Sequence, residues 1–153
     1  MLAIRPVIPA DGPALVPLLH QLGYAWEGPA VTQNLARLLA TGDDPVLVAE
    51  RDGTPVGLVA LHMMHTLHWS YRIARITALV VEENERGTGL GRLLIDAAEE
   101  LAAAGGCEAL ELTSGMHRPA AHAFYRRLGF QDQALRFYRQ IEGAALEHPL
   151  RGK

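Results

Sequence analysis

Apolar residues recur along this chain with two rhythms, and the rhythms assign the elements. In "GPAVTQNLARLLATGDD", Val31, Leu35, Leu38 and Leu39 fall three or four apart, which predicts a helix stopped at Gly42. "PADGPALVPLLHQLG" reads as an earlier helix, with Asp11 as its cap and Gly23 as its stop. "GLGRLLIDAAEELAAAGG" carries Leu90, Leu93, Leu94, Ala97, Ala98, Leu101 and Ala102 on one stripe, with Arg92, Asp96, Glu99 and Glu100 off it. "RPAAHAFYRRLGF" places Pro119 in a first turn and Gly129 just past a last one. Strand patterns occupy "LAIRPV", "PVLVAERDGTPVGLVALHMM", "RIARITALVV", "CEALELTS" and "ALRFYRQI". The second of these breaks at Asp52-Gly53, the dipeptide of a tight hairpin.

The predicted order is β-α-α-β-β-β-α-β-α-β, an α/β chain with an α+β mixed sheet: antiparallel strands first, then a β-α-β unit. No linker, repeat or low-complexity stretch interrupts it, so residues 1–153 are expected to form a single domain.

Composition narrows the roles open to such a domain. Charged residues make up 20% and the net charge is −3, which lacks the basic face that nucleic acid requires. The longest apolar runs, such as "TALVV", fall far short of the roughly 20 residues that span a bilayer. No signal peptide is read in "MLAIRPVIPADG", and a single cysteine, Cys107, forbids an internal disulfide. A cytoplasmic protein with neither membrane nor nucleic acid as partner is the expectation. Cys107 reads as a small apolar residue opening a strand.

The one costly local pattern is "NERGTGLGRLL", residues 84–94, with glycines at 87, 89 and 91 between a strand and a helix. A glycine-rich turn there brings a helix's unpaired N–H groups and positive dipole end close to an anion. The dinucleotide fingerprint Gly-x-Gly-x-x-Gly fails, because the third position falls on Arg92 or Leu94. The ATP-binding P-loop fails too, because the loop holds no lysine. Arg86-x-x-Gly89-x-Gly91 does fit a pattern: it resembles the acyl-CoA pyrophosphate loop of the GNAT superfamily of N-acetyltransferases. "AHAFYRRLGF", residues 121–130, is similar to that family's C-terminal motif, and the element order over residues 2–141 matches as well. A plain tight turn remains the other reading of the glycines.

The resemblance implies acetyl-CoA as cosubstrate and a primary amine, in a small molecule or a peptide, as acceptor. It implies that the pantetheine arm runs along Leu79, Val80 and Val81. The pyrophosphate would rest on Gly87, Thr88, Gly89, Leu90, Gly91 and Arg92, with Arg86 adding charge. Arg118 stands where many relatives carry an asparagine, and Ser114 is a candidate to replace that contact. Tyr125 matches the family's tyrosine acid; it points roughly 100° from the Ala120-Phe124-Leu128 stripe, although a core aromatic is the competing role.

No base is assigned from the sequence. The strand before the loop offers Arg75 and Thr77, Glu82 and Glu83 read as solvated turn charges, and His65, His68 or a water relay stay open. Tyr24, Trp26, His65 and Trp69 are candidate substrate-facing residues, or equally aromatics closing the edge of the core. His62, His65 and His68 are evenly spaced, but residues 62 and 65 fall on opposite faces of a strand, so no metal site is assigned. Exposed sheet edges allow a homodimer. Two rivals remain: a non-catalytic acyl-CoA-binding module, and a nucleotide-binding protein using the loop for ATP.

Overall fold

In the computed structural model, which describes residues 1–145, five strands and four helices form two compact units, Met1–Leu112 and the chain from Thr113 on. The first unit contains β1 (Leu2–Pro6), α1 (Gly12–Leu22), α2 (Gly28–Thr41), β2 (Val46–Arg51), β3 (Thr54–His65), β4 (Arg72–Val81), α3 (Leu90–Ala104) and β5 (Cys107–Leu112). Short 3-10 turns occupy Pro9–Asp11 and Glu83–Glu85. The sheet order follows the chain order, β1-β2-β3-β4-β5. The first four strands are antiparallel neighbours; β5 joins β4 in parallel, and α3 makes the crossover that a parallel pair needs.

The Asp52-Gly53 turn is built as its sequence predicts, with positive φ of 50° and 83° at its two central residues. The helices then cover the two faces of the sheet. On one face Leu15 and Leu18 of α1 and Val31 and Leu35 of α2 pack with Val46, Val48, Leu58, Ala60 and Val80. On the other, α3 lies so close to β3 that a Cβ on Gly57 would stand 3.0 Å from Leu94 Cδ1. Leu90, Leu94, Ile95, Ala98 and Ala102 are the buried residues of α3.

Several expectations need correction. Asp11 makes no side-chain cap on α1; its carboxylate instead holds the Arg5 guanidinium at 2.8 and 2.9 Å and accepts the Ile8 N–H. Leu38, Leu39 and Leu93 are more than a third exposed, because each helix rests on the sheet along a narrower stripe than its apolar periodicity suggests. Ile95, left off the predicted stripe, is buried.

The last strand, expected over "ALRFYRQI", does not form. Residues 134–141 have no regular structure, and Leu135, Phe137 and Ile141 are exposed. Alternation specifies which side chains a strand would bury, but not a neighbouring strand to supply the ladder. The second unit keeps α4 (Pro119–Arg127), with Pro119 in its first turn and Gly129 beyond its end at φ 91°.

Candidate active site

β4 and β5 are paired only from Arg72 to Ile76. Register against β3 slips at the same level: Ala60 faces Ala78 while Leu61 faces Ile76, so Thr77 is the extra residue of a β-bulge. Past the bulge, Ala78–Val81 pair with β3 on one side and have no β5 partner on the other. Their outward backbone groups form an open edge that an extended chain of amides could join.

That edge leads directly to the glycine loop. Glu82 folds back to accept the Asn84 N–H, the Thr88 hydroxyl donates to the Glu85 carbonyl at 2.6 Å, and Arg86 Nε donates to the Val81 carbonyl at 3.1 Å. Gly89, at φ 88°, is the N-cap of α3 and offers it no capping side chain. A Cβ at Gly87 or Gly89 would meet nothing within 4 Å, so backbone conformation rather than packing excludes side chains there. The first turn of α3 contains no acidic residue. Its free N–H groups and dipole end open onto the glycine turn, with the exposed Arg86 and Arg92 close by in sequence, an arrangement that suits a phosphate. Arg92 is paired weakly with Asp96, at 3.8 Å.

The predicted contacts differ in kind. Val80 and Leu90 are buried, so their side chains cannot meet a ligand, whereas Gly87, Thr88 and Gly89 are exposed. Ser114, in the second unit, has its hydroxyl buried without a hydrogen-bond partner. Tyr125 lies on α4 with its ring edge-on to Phe130, 5.9 Å between centroids. Burial raises the Tyr125 phenol above its ordinary value of 10.0, against the opposing charge of Arg118.

The aromatic candidates divide. Trp26 is partly buried against the core of the first unit, and its carbonyl accepts from His20 Nε2 at 3.0 Å, which closes the α1–α2 connection. Tyr24 stands 41% exposed in the same connection. Trp69 stacks on Tyr71 at 5.4 Å and lies against His68 in the β3–β4 connection. His65 ends β3, exposed and opposite Arg72. Among the described residues no group of three His, Cys, Asp or Glu is placed to hold a metal ion, and no helix is long and apolar enough to cross a membrane.

A row of ionisable groups crosses the sheet one step from the bulge, and sequence reasoning did not assemble it. His62 Nδ1 lies 2.7 Å from Asp44 Oδ1, and Asp44 Oδ2 accepts the Thr41 hydroxyl at 2.5 Å. Burial opposes ionisation of Asp44, but the bonds from Thr41 and His62 outweigh it and hold the carboxyl below its ordinary value. Across the β3–β4 ladder His62 faces Arg75, and Arg75 donates through two nitrogens to Glu111 Oε1 at 2.8 and 2.6 Å.

Comparison with known proteins gives this geometry a context. The family model described as "Acetyltransferase (GNAT) family" matches residues 15–130. An aminoalkylphosphonate N-acetyltransferase of Salmonella typhimurium is 38% identical over 94 residues, 61% of each chain. An aminoglycoside N(6')-acetyltransferase type 1 of Stenotrophomonas maltophilia is 28% identical over 133 residues, 84% of this chain and 86% of the relative. A solved structure from Agrobacterium tumefaciens str. C58 superposes with a TM-score of 0.82 at 29% identity, over 91% of this chain and 99% of that one. The match spans about three fifths of the aminoalkylphosphonate relative's length.

Proposed function

The chain belongs to the acetyltransferase (GNAT) family, and from that premise we propose that it transfers the acetyl group of acetyl-CoA to a primary amine. The observation that carries this reading is the open edge of β4 beyond Ile76, running straight into the glycine turn at the head of α3. The edge would receive the pantetheine amides at Leu79–Val81. The turn would receive the pyrophosphate on the N–H groups of residues 87–92, with Arg86 and Arg92 adding charge-assisted bonds. An N–H near Val81 is then placed to bond the thioester oxygen as it becomes an oxyanion.

The amine attacks the thioester carbon directly, the C–S bond breaks, and the thiolate leaves with the electron pair. Tyr125 is the acid assigned to that thiolate; a phenol raised by burial keeps its proton throughout the neutral range. Ser114, with a buried and unpartnered hydroxyl, is assigned a polar contact to the cosubstrate. Tyr24, Trp26, His65 and Trp69 are assigned to the acceptor side. The relatives named for aminoalkylphosphonates and aminoglycosides favour a small-molecule amine over a peptide. A lone cysteine suits the cytoplasm.

The deciding experiment is a calorimetric titration of the protein with acetyl-CoA, with ATP and NAD as controls, repeated on Gly89→Glu. Wild type should bind acetyl-CoA selectively. The variant should lose at least tenfold in affinity, because it places a strained, negatively charged side chain where the pyrophosphate would rest. Free-thiol release with aminomethylphosphonate, kanamycin and simple primary amines then separates an enzyme from a non-catalytic acyl-CoA-binding module.

A further inference from the structure

We infer that His62, held by Asp44, is the general base that takes a proton from the acceptor amine, an assignment that rests on the acetyl-transfer reading above. At neutral pH a primary amine is mostly ammonium and has no lone pair to attack with, so a proton acceptor close to the open edge of β4 would speed the reaction.

Position comes first. Leu58 and Ala60 belong to the core under α1 and α2, and side chains two apart on a strand share a face. His62 is therefore the next β3 residue on that face. It lies one step beyond Ala60, whose cross-strand partner Ala78 opens the unpaired stretch of β4. The core ends there: Ala60 is buried, whereas the His62 side chain is 44% exposed. His62 thus borders the sheet face just where the cover of α1 and α2 gives way to solvent.

Chemistry comes second. An ionised carboxylate only accepts, so Nδ1 of His62 carries the proton of its 2.7 Å bond to Asp44, and in the neutral imidazole the lone pair is then on Nε2. Nε2 makes no hydrogen bond to the described residues. Asp44 is itself fixed by the Thr41 hydroxyl and is mostly buried. Its role is to position the imidazole and to stabilise the imidazolium once formed.

The charged neighbours fit the role less well. Arg75, opposite on β4, has no lone pair to offer and is committed to Glu111. Glu111, on β5, accepts two bonds from the Arg75 guanidinium on Oε1 and is committed to that pair. Asp43 pairs with Arg72, and His65 lies on the opposite face of β3.

The step balances. Nε2 takes one proton from the ammonium, and the freed lone pair forms the N–C bond. When C–S breaks, Tyr125 gives its proton to the thiolate and regains one from the acylated nitrogen, which leaves the neutral amide, and the imidazolium returns its own proton to solvent.

The test is thiol release by wild type, His62→Gln and Asp44→Asn, using whichever amine of the panel turns over fastest. Each is followed across pH, with acetyl-CoA affinity measured alongside. His62→Gln should bind acetyl-CoA within about twofold of wild type, lose about 10²-fold in kcat and lose the acidic limb of its kcat/KM profile. Asp44→Asn should lose about tenfold, with the acidic limb moved to lower pH; a purely structural role would scale the profile without moving it. Wild-type rate and profile in His62→Gln would overturn this assignment while leaving acetyl transfer intact. Absence of amine-dependent thiol release from wild type would overturn both.

Discussion

Tyr125 is the residue on which two roles compete, core aromatic and acid. Its ring meets Phe130 edge-on and Phe124 at 5.4 Å, so it is packed. Its phenol is also raised by burial, and a proton held more tightly is the form an acid needs. Removing the hydroxyl alone distinguishes the roles. Tyr125→Phe should lower kcat by about 10²-fold while leaving acetyl-CoA affinity unchanged; equal rates would return Tyr125 to packing alone. His62 shows why single residues were only partly legible. A two-residue turn at Asp52-Gly53 by itself would set Asp43 opposite His62. The irregularity between Ala49 and Glu50 advances β2 by one residue and brings Asp44 there. No pattern of apolar positions announces that shift, so the His–Asp pair could not be read from spacing.

Elements were far more legible, because long periodic runs carry their own evidence. The residues of "RIARITALVV" are those of β4, and Gly23 and Gly42 close α1 and α2 as C-caps at positive φ. The failures have a common physical source. Periodicity reports which side of an element is apolar, but not how much of that side a neighbour covers; hence the exposure of Leu38, Leu39 and Leu93, and the unpaired "ALRFYRQI". The seat of α3 on β3 is also invisible in sequence, although Gly57 marks it. Its absent Cβ would stand 3.2 Å from the Val80 carbonyl as well as against Leu94. Gly57→Val should therefore cost about 2 kcal/mol, roughly a 5 °C fall in Tm by thermal denaturation. An unchanged Tm would mean that α3 does not press on β3 in this way.

At the scale of the molecule, the Arg5 network ties the first strand to the start of α1 and to β2. Arg5 reaches Asp11 before α1 and Glu50 on β2, and Asp11 is buried. The Arg5 guanidinium, chiefly, holds the Asp11 carboxyl below its ordinary value despite burial. A carboxyl lowered on folding stabilises the protein above the unfolded value, near pH 4, and loses that contribution as pH falls through the lower folded value. Asp11→Asn should cost about 2 kcal/mol at pH 7 and flatten the decline of Tm below about pH 4. A parallel decline in both proteins would show that Asp11 does not set acid stability. The fold class was legible at this scale because order and turn chemistry agreed, and the glycine turn at the head of α3 because glycine there is costly.

The strands of the sheet stand in space in the order in which the chain makes them, and that order bears on how the fold is reached. The β2–β3 hairpin closes through two residues, so it forms at almost no loop-closure cost and presents a finished edge to β4. The outer pairs are different. β1 must find β2 across residues 7–45, and β5 must find β4 across the whole of α3. These two long-range closures, rather than any threading or crossing of strands, should set the refolding rate. The sheet would thus grow outward from its middle, and the parallel β4–β5 seam whose partial opening defines the site would be among the last to close.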